Sequence, residues 1–426
     1  RHRRTSSSRL EQRPLRAESL AVRTWRLGTT FDALKNRDFR WLWLGRLASS
    51  ATFQMGSVAQ GWMVYRLTGS AFALGWVSAG WSISNSILSP WGGVVSDRIE
   101  KRTLLIWCRG VMVLIALGIT ALIALDRVQV WHLAGYSLLR GILFAILMPA
   151  QNAYLAELVD RKTLMNAVSL NSVGMGVAGI FMSSLSGFLI DAIGVEAVYF
   201  GIALLYLVVF AIMFKLPRTG TTDPGTRSVW ADLTDGFKYI RFCPEMIPLL
   251  ALVFVRGFLG MPYRTMMPKY ANDVLQLDAS GLGVLLSAPG VGSLISSLVM
   301  ASMGDFQRKG KILLIAGVVM GLALVGFGNI QNFAVVLVLL AIIGAASNVC
   351  MVTNRALLQL NCEPAYLGRV MSAYMMMFGL TQLGTMPAGA VADALGVPLV
   401  ITVQGALFAL TFVLIWATGR RIRSLE

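Results

Sequence analysis

The sequence predicts an all-α membrane protein of twelve transmembrane helices, arranged as two similar bundles of six. Three observations predict this fold. Of the 426 residues, 56% are hydrophobic and 14% are charged, whereas soluble domains carry roughly 25% charged residues. The apolar runs are long enough to cross a bilayer as helices. Parts of the second half of the chain repeat the first half at a fixed spacing.

Each predicted span is an apolar run that can cross a hydrocarbon layer about 30 Å thick at about 1.5 Å per helical residue. The spans are residues 40–65, 71–95, 103–125, 130–156, 165–191, 196–216, 246–270, 279–303, 311–329, 332–356, 366–392 and 397–418. Because their number is even, both termini are expected on the same side of the membrane.

The basic residues indicate which side that is. Lys and Arg concentrate in the two tails, in the central loop and in the loops after even-numbered spans, whereas the opposite loops offer Arg66, Arg127 and Lys269. The positive-inside rule therefore predicts cytoplasmic termini. This asymmetry accounts for most of the net charge of +16, so no nucleic-acid partner is expected. The basic tails are expected to touch anionic lipid.

The predicted domains follow from these spans. They are a basic tail (1–37), a six-helix bundle (38–216), a linker (217–244), a second bundle (245–418) and a basic tail (419–426). In the linker, residues 229–242 place apolar side chains at helical spacing, which predicts an amphipathic helix on the membrane surface. No catalytic constellation is present, and two histidines cannot form a metal cluster. We therefore expect no enzyme activity, metal or cofactor.

The two halves repeat with two different offsets. At 202 residues, Gly187, Asp191 and Gly194 recur as Gly389, Asp393 and Gly396, and Asn152 recurs as Asn354. Earlier in each half the offset is 210, which relates Ser70 to Ser280 and Arg46 to Arg256. Insertions in the loops account for the change of offset.

The run Gly93–Arg102, predicted as the loop between the second and third spans, resembles the signature of the major facilitator superfamily. Met303–Lys311 is a degenerate copy at the equivalent place in the second half, and Glu100 stands where the family prefers glycine. The resemblance implies two six-helix bundles around a central cavity, with transport by alternating access.

A narrower resemblance lies in Phe39–Leu47, Trp62–Ser70, Arg140–Ala150 and Asn166–Ala167. These stretches are similar to the exporter branch that includes the enterobactin exporter and macrolide or tetracycline efflux pumps. That similarity implies export of an amphipathic small molecule, siderophore- or drug-like, commonly in exchange for protons.

The signature run is also the predicted cytoplasmic gate. With the cytoplasmic side closed, Asp97 would face the positive N-terminus of the eleventh span near Leu367, and Arg98 would pair with Glu157. The other predicted gate residues are Gly93, Arg102, Asp305 and Arg308. The alternative is that these charges only set the topology.

Three arginines lie inside apolar runs that contain no acidic residue: Arg46, Arg140 and Arg256. Charge at membrane depth is costly and usually marks a substrate path. As repeat partners, Arg46 and Arg256 are expected to converge on the central cavity, where their guanidinium groups would suit a carboxylate, catecholate or phosphate. The alternative is that both reach the cytoplasmic headgroups.

Other polar residues would line the same path near Arg140, which lies close to the middle of its span. They are Gln54, Gln60, Asn85, Asn152, Arg264 and Asn354. Most of them are individually better explained as hydrogen-bonding partners between helices than as ligands of a substrate.

Coupling is not fixed by the sequence, because every Asp and Glu falls in a loop, a tail or at a helix end. The remaining proton sites are Asp97, Glu157, Asp191 and Asp393, or the substrate carries the proton. Many antiporters of this type have a Gly-Pro pair in the fifth span, which Phe181–Gly187 lacks. Proton antiport and simple exchange stay open.

The sequence therefore predicts a multi-pass, monomeric secondary active transporter of the plasma (bacterial inner) membrane. It would export an amphipathic small molecule, anionic in the leading hypothesis. The alternative is a lipid or lysolipid flippase on the same fold, which predicts a cavity open sideways to the bilayer.

Overall fold

The computed structural model describes residues 32–159, 161–218, 239–241, 243, 246–303, 308–363, 366, 370–371, 373–374, 377, 384–419 and 423, apart from the side chains of residues 90, 93–94, 97, 156, 161–162 and 164–165. A 3-10 turn at Asp32–Lys35 precedes the helices. The helices in this part of the chain are α1 (Arg37–Thr68), α2 (Ala71–Arg98), α3 (Lys101–Ala124), α4 (Val130–Leu158), α5 (Arg161–Ile193), α6 (Val195–Met213), α7 (Met246–Gly260), α8 (Pro262–Asp273), α9 (Ala279–Met303), α10 (Lys309–Asn329), α11 (Phe333–Leu360), α12 (Thr385–Leu395) and α13 (Val397–Thr418).

Within the described ranges, nine stretches are long and apolar enough to cross a membrane. They are α3, α4, α5 from Asn166, α6, α7 together with α8, α9, α10, α11 and α13. Helices α1 and α2 are long enough but are not among these stretches, and most of residues 364–383 lie outside the described part of the chain. Twelve spans therefore stays a prediction, while a helical, multi-pass membrane protein is confirmed.

The predicted seventh span is one continuous path with a break. Helix α7 ends at Gly260 and α8 begins at Pro262, with Met261 between them at φ −108° and ψ −23°. A proline lacks the N–H that would continue the helical hydrogen bonds, and its ring clashes with the preceding turn. Pro262 therefore accounts for the break between α7 and α8.

The signature run is mostly helical, so its prediction as a loop is wrong. Helix α2 continues through Arg98, and Ile99 and Glu100 alone separate it from Lys101 at the start of α3. The helix persists because residues 94–98 contain neither proline nor glycine to interrupt it.

The helices form two groups, one in each half of the chain. In the first half α2 packs on α4, α3 on α6, and α1 on α5 and α6. In the second half α10 packs on α11 and α13, and α9 on α11. The two most extensive contacts across the halves, α5 with α9 and α2 with α12, join the groups.

Glycines allow the backbones to meet at both cross-half contacts. A Cβ added to Gly187 would lie 2.1 Å from the carbonyl oxygen of Ala279, and one added to Gly389 would lie 2.5 Å from that of Ala71. Since Gly187 and Gly389 are repeat partners, these contacts make Ala71 equivalent to Ala279 at an offset of 208. The offset of 210 that relates Ser70 to Ser280 is therefore wrong by two residues in this helix.

Parts of the predicted tails and linker fall outside the described residues, namely 1–31, 219–238, 242, 244 and most of 420–426. Of the amphipathic helix predicted at 229–242, only 239–241 are described, and these are helical. The ring of Tyr239 stacks on that of Tyr366 at 4.2 Å between centroids, and its hydroxyl accepts the N–H of Glu363 at 3.1 Å. These contacts hold the end of the linker against the second half.

Candidate substrate site

Among the described side chains, four arginines are buried inside the helices. The exposed fraction is 8% for Arg46, 4% for Arg109, 6% for Arg140 and 5% for Arg256. No Asp or Glu is buried among the described side chains. Arg109 was not predicted as a site residue, although it lies inside a predicted span with no acidic residue between 101 and 125. That absence was the available signal.

Arg46 is engaged in the first half. Its Nη2 donates to Asn152 Oδ1 at 2.7 Å, which brings two predicted site residues together across α1 and α4. Arg109 lies near enough to repel it electrostatically. The Nη1 of Arg109 contacts Met112 Sδ at 3.5 Å, while its buried Nε has no hydrogen-bond partner among the described groups. This region therefore concentrates positive charge.

Arg140 lies in an aromatic cage of the first half. Its Cζ is 5.3 Å from the ring centroid of Phe53 and 5.2 Å from that of Tyr136. It also interacts with the hydroxyl of Tyr206. Cation–π contacts of this kind offset part of the cost of burying a cation. Tyr136 lies four residues before Arg140 in the same helix, so helical spacing could have identified it as a partner. Phe53 and Tyr206 come from α1 and α6 and could not be found in this way.

Arg256 lies beside a pocket of the second half. Its Nη1 donates to Ser347 Oγ at 3.0 Å. The pocket is lined by Arg256, Cys350, Asn354, Tyr374 and Phe412 among others, and it has room for about one water molecule.

Asn354 lines the same pocket with an unsatisfied acceptor. Its Nδ2 donates to the carbonyl oxygen of Leu249 at 3.0 Å, which fixes the orientation of the amide, since a carbonyl can only accept. Its buried Oδ1 has no hydrogen-bond partner in the described structure. Such an oxygen costs about 1–3 kcal/mol if nothing binds it.

These contacts place Arg46 and Arg256, the two arginines predicted to converge on one ligand, at different levels along the bundle. Arg46 is level with Asn152, whereas Arg256 is level with Ser347, seven residues or about 10 Å along the helix from Asn354. Because Asn152 and Asn354 are repeat partners, the offset of 210 between the arginines is not the structural one. The described hydrogen bonds of each arginine lie in its own half, and convergence on one ligand stays a prediction.

The other predicted site residues are dispersed. Gln60 Nε2 donates to the carbonyl oxygen of Leu133 at 3.2 Å, which is a contact between α1 and α4. Gln54 packs beside Gly179, Asn85 is half-buried and Arg264 is exposed. The position of Gln60 is therefore explained by helix packing.

We call the end of the bundle that carries the predicted cytoplasmic loops the basic end. There the Glu157 carboxylate pairs with Lys101 Nζ at 2.5 Å. Arg102 hydrogen-bonds the carbonyl oxygens of Met213 and Phe214 at 3.4 and 2.8 Å and so caps α6. Arg98 is exposed, and its pairing with Glu157 in a closed state stays a prediction.

The rest of the predicted gate is only partly described. Arg308 is exposed. The surroundings of Gly93 and the side chain of Asp97 are not described. Asp305 and Leu367 lie wholly outside the described residues.

The opposite, distal end of the bundle carries two carboxylates that bind helix N-termini across the halves. Asp191 on α5 accepts the N–H groups of Ala279 and Ser280 at 3.1 and 2.7 Å. Asp393 on α12 accepts the N–H groups of Ala71 and Phe72 at 2.7 and 3.0 Å. We call these two cross-half caps the distal clasp. An anion at a helix N-terminus satisfies unpaired N–H groups and the helix dipole.

The Asp393 cap is the more heavily supported of the two. Ser70 Oγ donates to it at 2.5 Å, and Lys269 Nζ lies 3.5 Å away. Partial burial alone would raise the pKa of the Asp393 carboxyl, but the hydrogen bonds from Ser70, Phe72 and Ala71 and the charge of Lys269 outweigh it and hold the pKa below its ordinary value. This carboxylate is therefore ionised near neutral pH.

Further polar contacts join the halves at the distal end. Lys269 Nζ donates to the carbonyl oxygen of Gly69 at 2.6 Å, and the Tyr65 hydroxyl bonds Asn272 at 3.0 Å and also Asp273. The distal end is thus closed by contacts from both halves.

The long helices, the repeated halves and the cross-half clasp define a major facilitator transporter. The chain belongs to the family described as transmembrane secretion effector, whose model matches residues 28–425.

Relatives with established names are transporters and exporters. The staphyloferrin A transporter of Staphylococcus aureus is 22% identical over 82% of this chain and 88% of its own length. The multidrug efflux pump Tap of Mycolicibacterium fortuitum is 25% identical over 80% and 85%. The enterobactin exporter of Salmonella paratyphi A is 25% identical over 66% and 67%.

Solved structures share the fold. A nucleoside transporter superposes with a TM-score of 0.70 at 12% identity, covering 89% of this chain and 98% of that one. The human organic anion transporter superposes with a TM-score of 0.63 at 17% identity, covering 89% and 99%.

Proposed function

We propose that the protein is a secondary active transporter of the bacterial inner membrane that exports an amphipathic, anionic small molecule of siderophore- or drug-like type by alternating access. The observation that carries this proposal is buried positive charge. Arg46, Arg109, Arg140 and Arg256 are each less than a tenth exposed, and the described interior buries no acidic side chain. An anion that enters this interior supplies the missing charge.

The relatives support export rather than uptake. The printed names of two of them specify efflux or export, one of several drugs and one of enterobactin. We extend the class of activity to this chain on family membership, and the choice of an anion on the arginines. Both termini are placed in the cytoplasm by the positive-inside rule.

The substrate path runs past Arg46 with Asn152 in the first half and past Arg256 with Asn354 in the second. Arg264 is exposed and adds positive charge to this path. At the distal end the clasp closes the path, and at the basic end Asp97, Glu157 and their neighbours alternate with it. Opening one end while the other is closed is what alternating access requires.

Flux into proteoliposomes tests the proposal. The flux is taken above that of protein-free liposomes, because neutral amides cross a bare bilayer unaided. The expected result is that this protein-dependent flux is much larger for amphipathic arylcarboxylates than for their neutral methyl amides. The Arg66→Gln variant is a matched control, since Arg66 is exposed, and its flux is expected to equal that of the wild type. Running the assay with and without a pH gradient distinguishes proton antiport from exchange. Equal flux of the anion and its amide, or movement of labelled lysolipid instead of either, would refute the proposal.

A further inference from the structure

A group of three cations lies at the basic end of the first half, where the start of α1 meets the end of α6. Lys215 Nζ lies 4.0 Å from the ring centroid of Trp41. Arg40 directly precedes that tryptophan, Arg218 follows three residues after the lysine, and all three cations are exposed. We call Arg40, Lys215 and Arg218 the inner cation cluster. The ion pairs in the described part of the chain include none of its members.

Contacts with three helices fix the segment that carries two of these cations. On α3, Arg102 Nη2 donates to the carbonyl oxygen of Phe214 at 2.8 Å. On α4, the Tyr154 hydroxyl donates to the carbonyl oxygen of Pro217 at 2.6 Å. The cation–π contact with the indole on α1 holds the ammonium group of Lys215. The end of α6 is therefore in place before a ligand binds, which lowers the entropy cost of binding.

The acidic residues near this end are engaged elsewhere. Three of them act electrostatically on Tyr154, namely Asp38, Glu100 and Glu157. Glu157 pairs with the buried Lys101, and Glu100 accepts a hydrogen bond from the threonine hydroxyl three residues further along α3. Asp38 lies in the first turn of α1, where it complements the positive end of the helix. The inner cation cluster thus keeps a net positive charge that can attract an anion.

An exposed apolar strip continues from the cluster into the membrane. Leu44 follows Trp41 by three residues on α1 and is 44% exposed. On α6, Val208 and Leu204 precede Lys215 by seven and eleven residues, a spacing that places them on its face of the helix, and they are 45% and 52% exposed. At about 1.5 Å per residue this strip reaches roughly 5–17 Å below the cations. It suits an acyl chain and offers nothing to a small soluble anion.

We infer that the inner cation cluster and this strip bind one anionic phospholipid from the leaflet on the basic side of the membrane. Its phosphate lies against Lys215 and Arg218, and one acyl chain lies along Leu44 and Val208. A lysine binds phosphate as a point charge, and basic groups between helices at this face of a membrane recognise anionic headgroups. The site lies on the first bundle itself, apart from the contact expected of the tails, and does not depend on the identity of the substrate.

Quenching by brominated lipid tests the inference on the full-length protein with its four native cysteines replaced by alanine. A bimane label at Leu44→Cys reports on the site. A reference label at Ile315→Cys reports on an exposed position in the second half, six residues after the start of α10 at Lys309. In phosphatidylethanolamine nanodiscs, brominated phosphatidylglycerol should half-quench the Leu44 label at a fraction at least threefold lower than the reference label needs. Equal fractions overturn the inference, and this comparison requires no change in the cluster.

A double variant removes the headgroup contacts. Lys215→Gln with Arg218→Gln should abolish the preference of the Leu44 label for phosphatidylglycerol. The matched control is Arg241→Gln with Lys311→Gln, which removes the same charge from the basic end of the second half and should keep the preference. A preference that survives the first double variant overturns the site. An equal loss in the control shows a general effect of surface charge and overturns it as well.

Inorganic phosphate distinguishes a lipid headgroup from a soluble anion. Added at millimolar concentration, it should displace the brominated lipid from the Leu44 label no more than sodium chloride of equal ionic strength does, because both salts only screen the cluster. Displacement by phosphate beyond the effect of chloride would show that the cations bind a soluble anion, and would overturn the assignment to lipid.

Discussion

The two-fold relation between the halves is kept at the distal clasp and broken at the arginines. At the clasp, Asp191 and Asp393 are repeat partners, and each accepts two backbone N–H groups of the opposite half. In the interior, Arg46 meets Asn152, whereas Arg256 lies about two turns from the level of Asn354. The halves have kept the residues with which they bind each other and have diverged where a ligand would enter.

The largest effect on the distal clasp is expected from a substitution that separates the helix backbones at a cross-half contact. Gly187→Ala places a Cβ 2.1 Å from the carbonyl oxygen of Ala279, while Gly176 in the same helix has nothing within 4 Å. Overpacking costs about 1–3 kcal/mol, so we expect the closed distal state to lose roughly 5- to 150-fold in population, at 1.4 kcal/mol per tenfold.

Distances between spin labels measure this effect. Labels at Ile193 and Leu395, which are exposed and lie in opposite halves, report the separation of the distal ends once the four native cysteines are replaced. Gly176→Ala is expected to match the parent protein. A Gly187→Ala distribution identical to that of Gly176→Ala would contradict the close backbone contact.

The two caps of the clasp should differ in strength. Asp393→Ala removes the acceptor of two backbone N–H groups, the hydrogen bond from Ser70 and the negative charge near Lys269. Asp191→Ala removes the acceptor of the N–H groups of Ala279 and Ser280. Loss of a cap costs about 0.5–2 kcal/mol. We expect both variants to widen the same label distance, and Asp393→Ala to widen it more often.

Asp126→Asn is the control for the caps, because Asp126 lies in the distal loop between α3 and α4 at φ 53°, a conformation that asparagine tolerates. It should leave the distances unchanged. Equal widening by Asp126→Asn would show that any loss of distal negative charge opens the clasp, and would remove the specific role of the caps.

Because the repeat is not kept around the buried arginines, we expect Asn152→Leu and Asn354→Leu to differ in stability. Asn152→Leu leaves the buried guanidinium of Arg46 without its described acceptor, while Asn354→Leu removes an amide whose Oδ1 is already unpaired. A lost bond to a charged group costs about 1.5–3 kcal/mol, against about 0.5–1.5 kcal/mol for a neutral one. Thermal unfolding in detergent should therefore show a lower Tm for Asn152→Leu, and the reverse order would contradict the closed Arg46–Asn152 pair.

The smallest effect expected is that of mild acid on the Asp393 cap. A carboxyl with a depressed pKa in the folded state contributes stability that is present above its ordinary pKa and is lost as the pH falls through the folded pKa. Between pH 7.5 and 5.5 the Asp393 cap therefore stays ionised. The label distance should not change over that interval in an Asp191→Ala background, and opening on acidification would restore Asp393 as a proton site.

Much of the fold could be predicted because apolar length decides membrane spans. Helix α9 has the predicted limits of 279–303, and α3 and α4 differ from their predictions by at most two residues at either end. The continuation of α2 through Arg98 could not be predicted from apolar length, which locates a membrane span but not the end of its helix. Nothing in that run breaks a helix.

The candidate site was less accessible from sequence. Repeat arithmetic found Asp191 and Asp393, yet their partners at the N-termini of α9 and α2 depend on how the halves face each other. The depth of Arg256 relative to Asn354 depends on the packing of α7 against α11. Loop insertions can shift an offset between helices without leaving a trace inside them.

The most direct test of the central claim is arylcarboxylate flux in proteoliposomes that carry the double variant Arg46→Gln and Arg256→Gln, beside each single variant and Arg66→Gln. Each buried arginine that binds the anion is worth about 1.5–3 kcal/mol. The account predicts at least a tenfold loss of flux in Arg256→Gln, a further loss in the double variant and wild-type flux in Arg66→Gln. Wild-type anion flux in the double variant would contradict it.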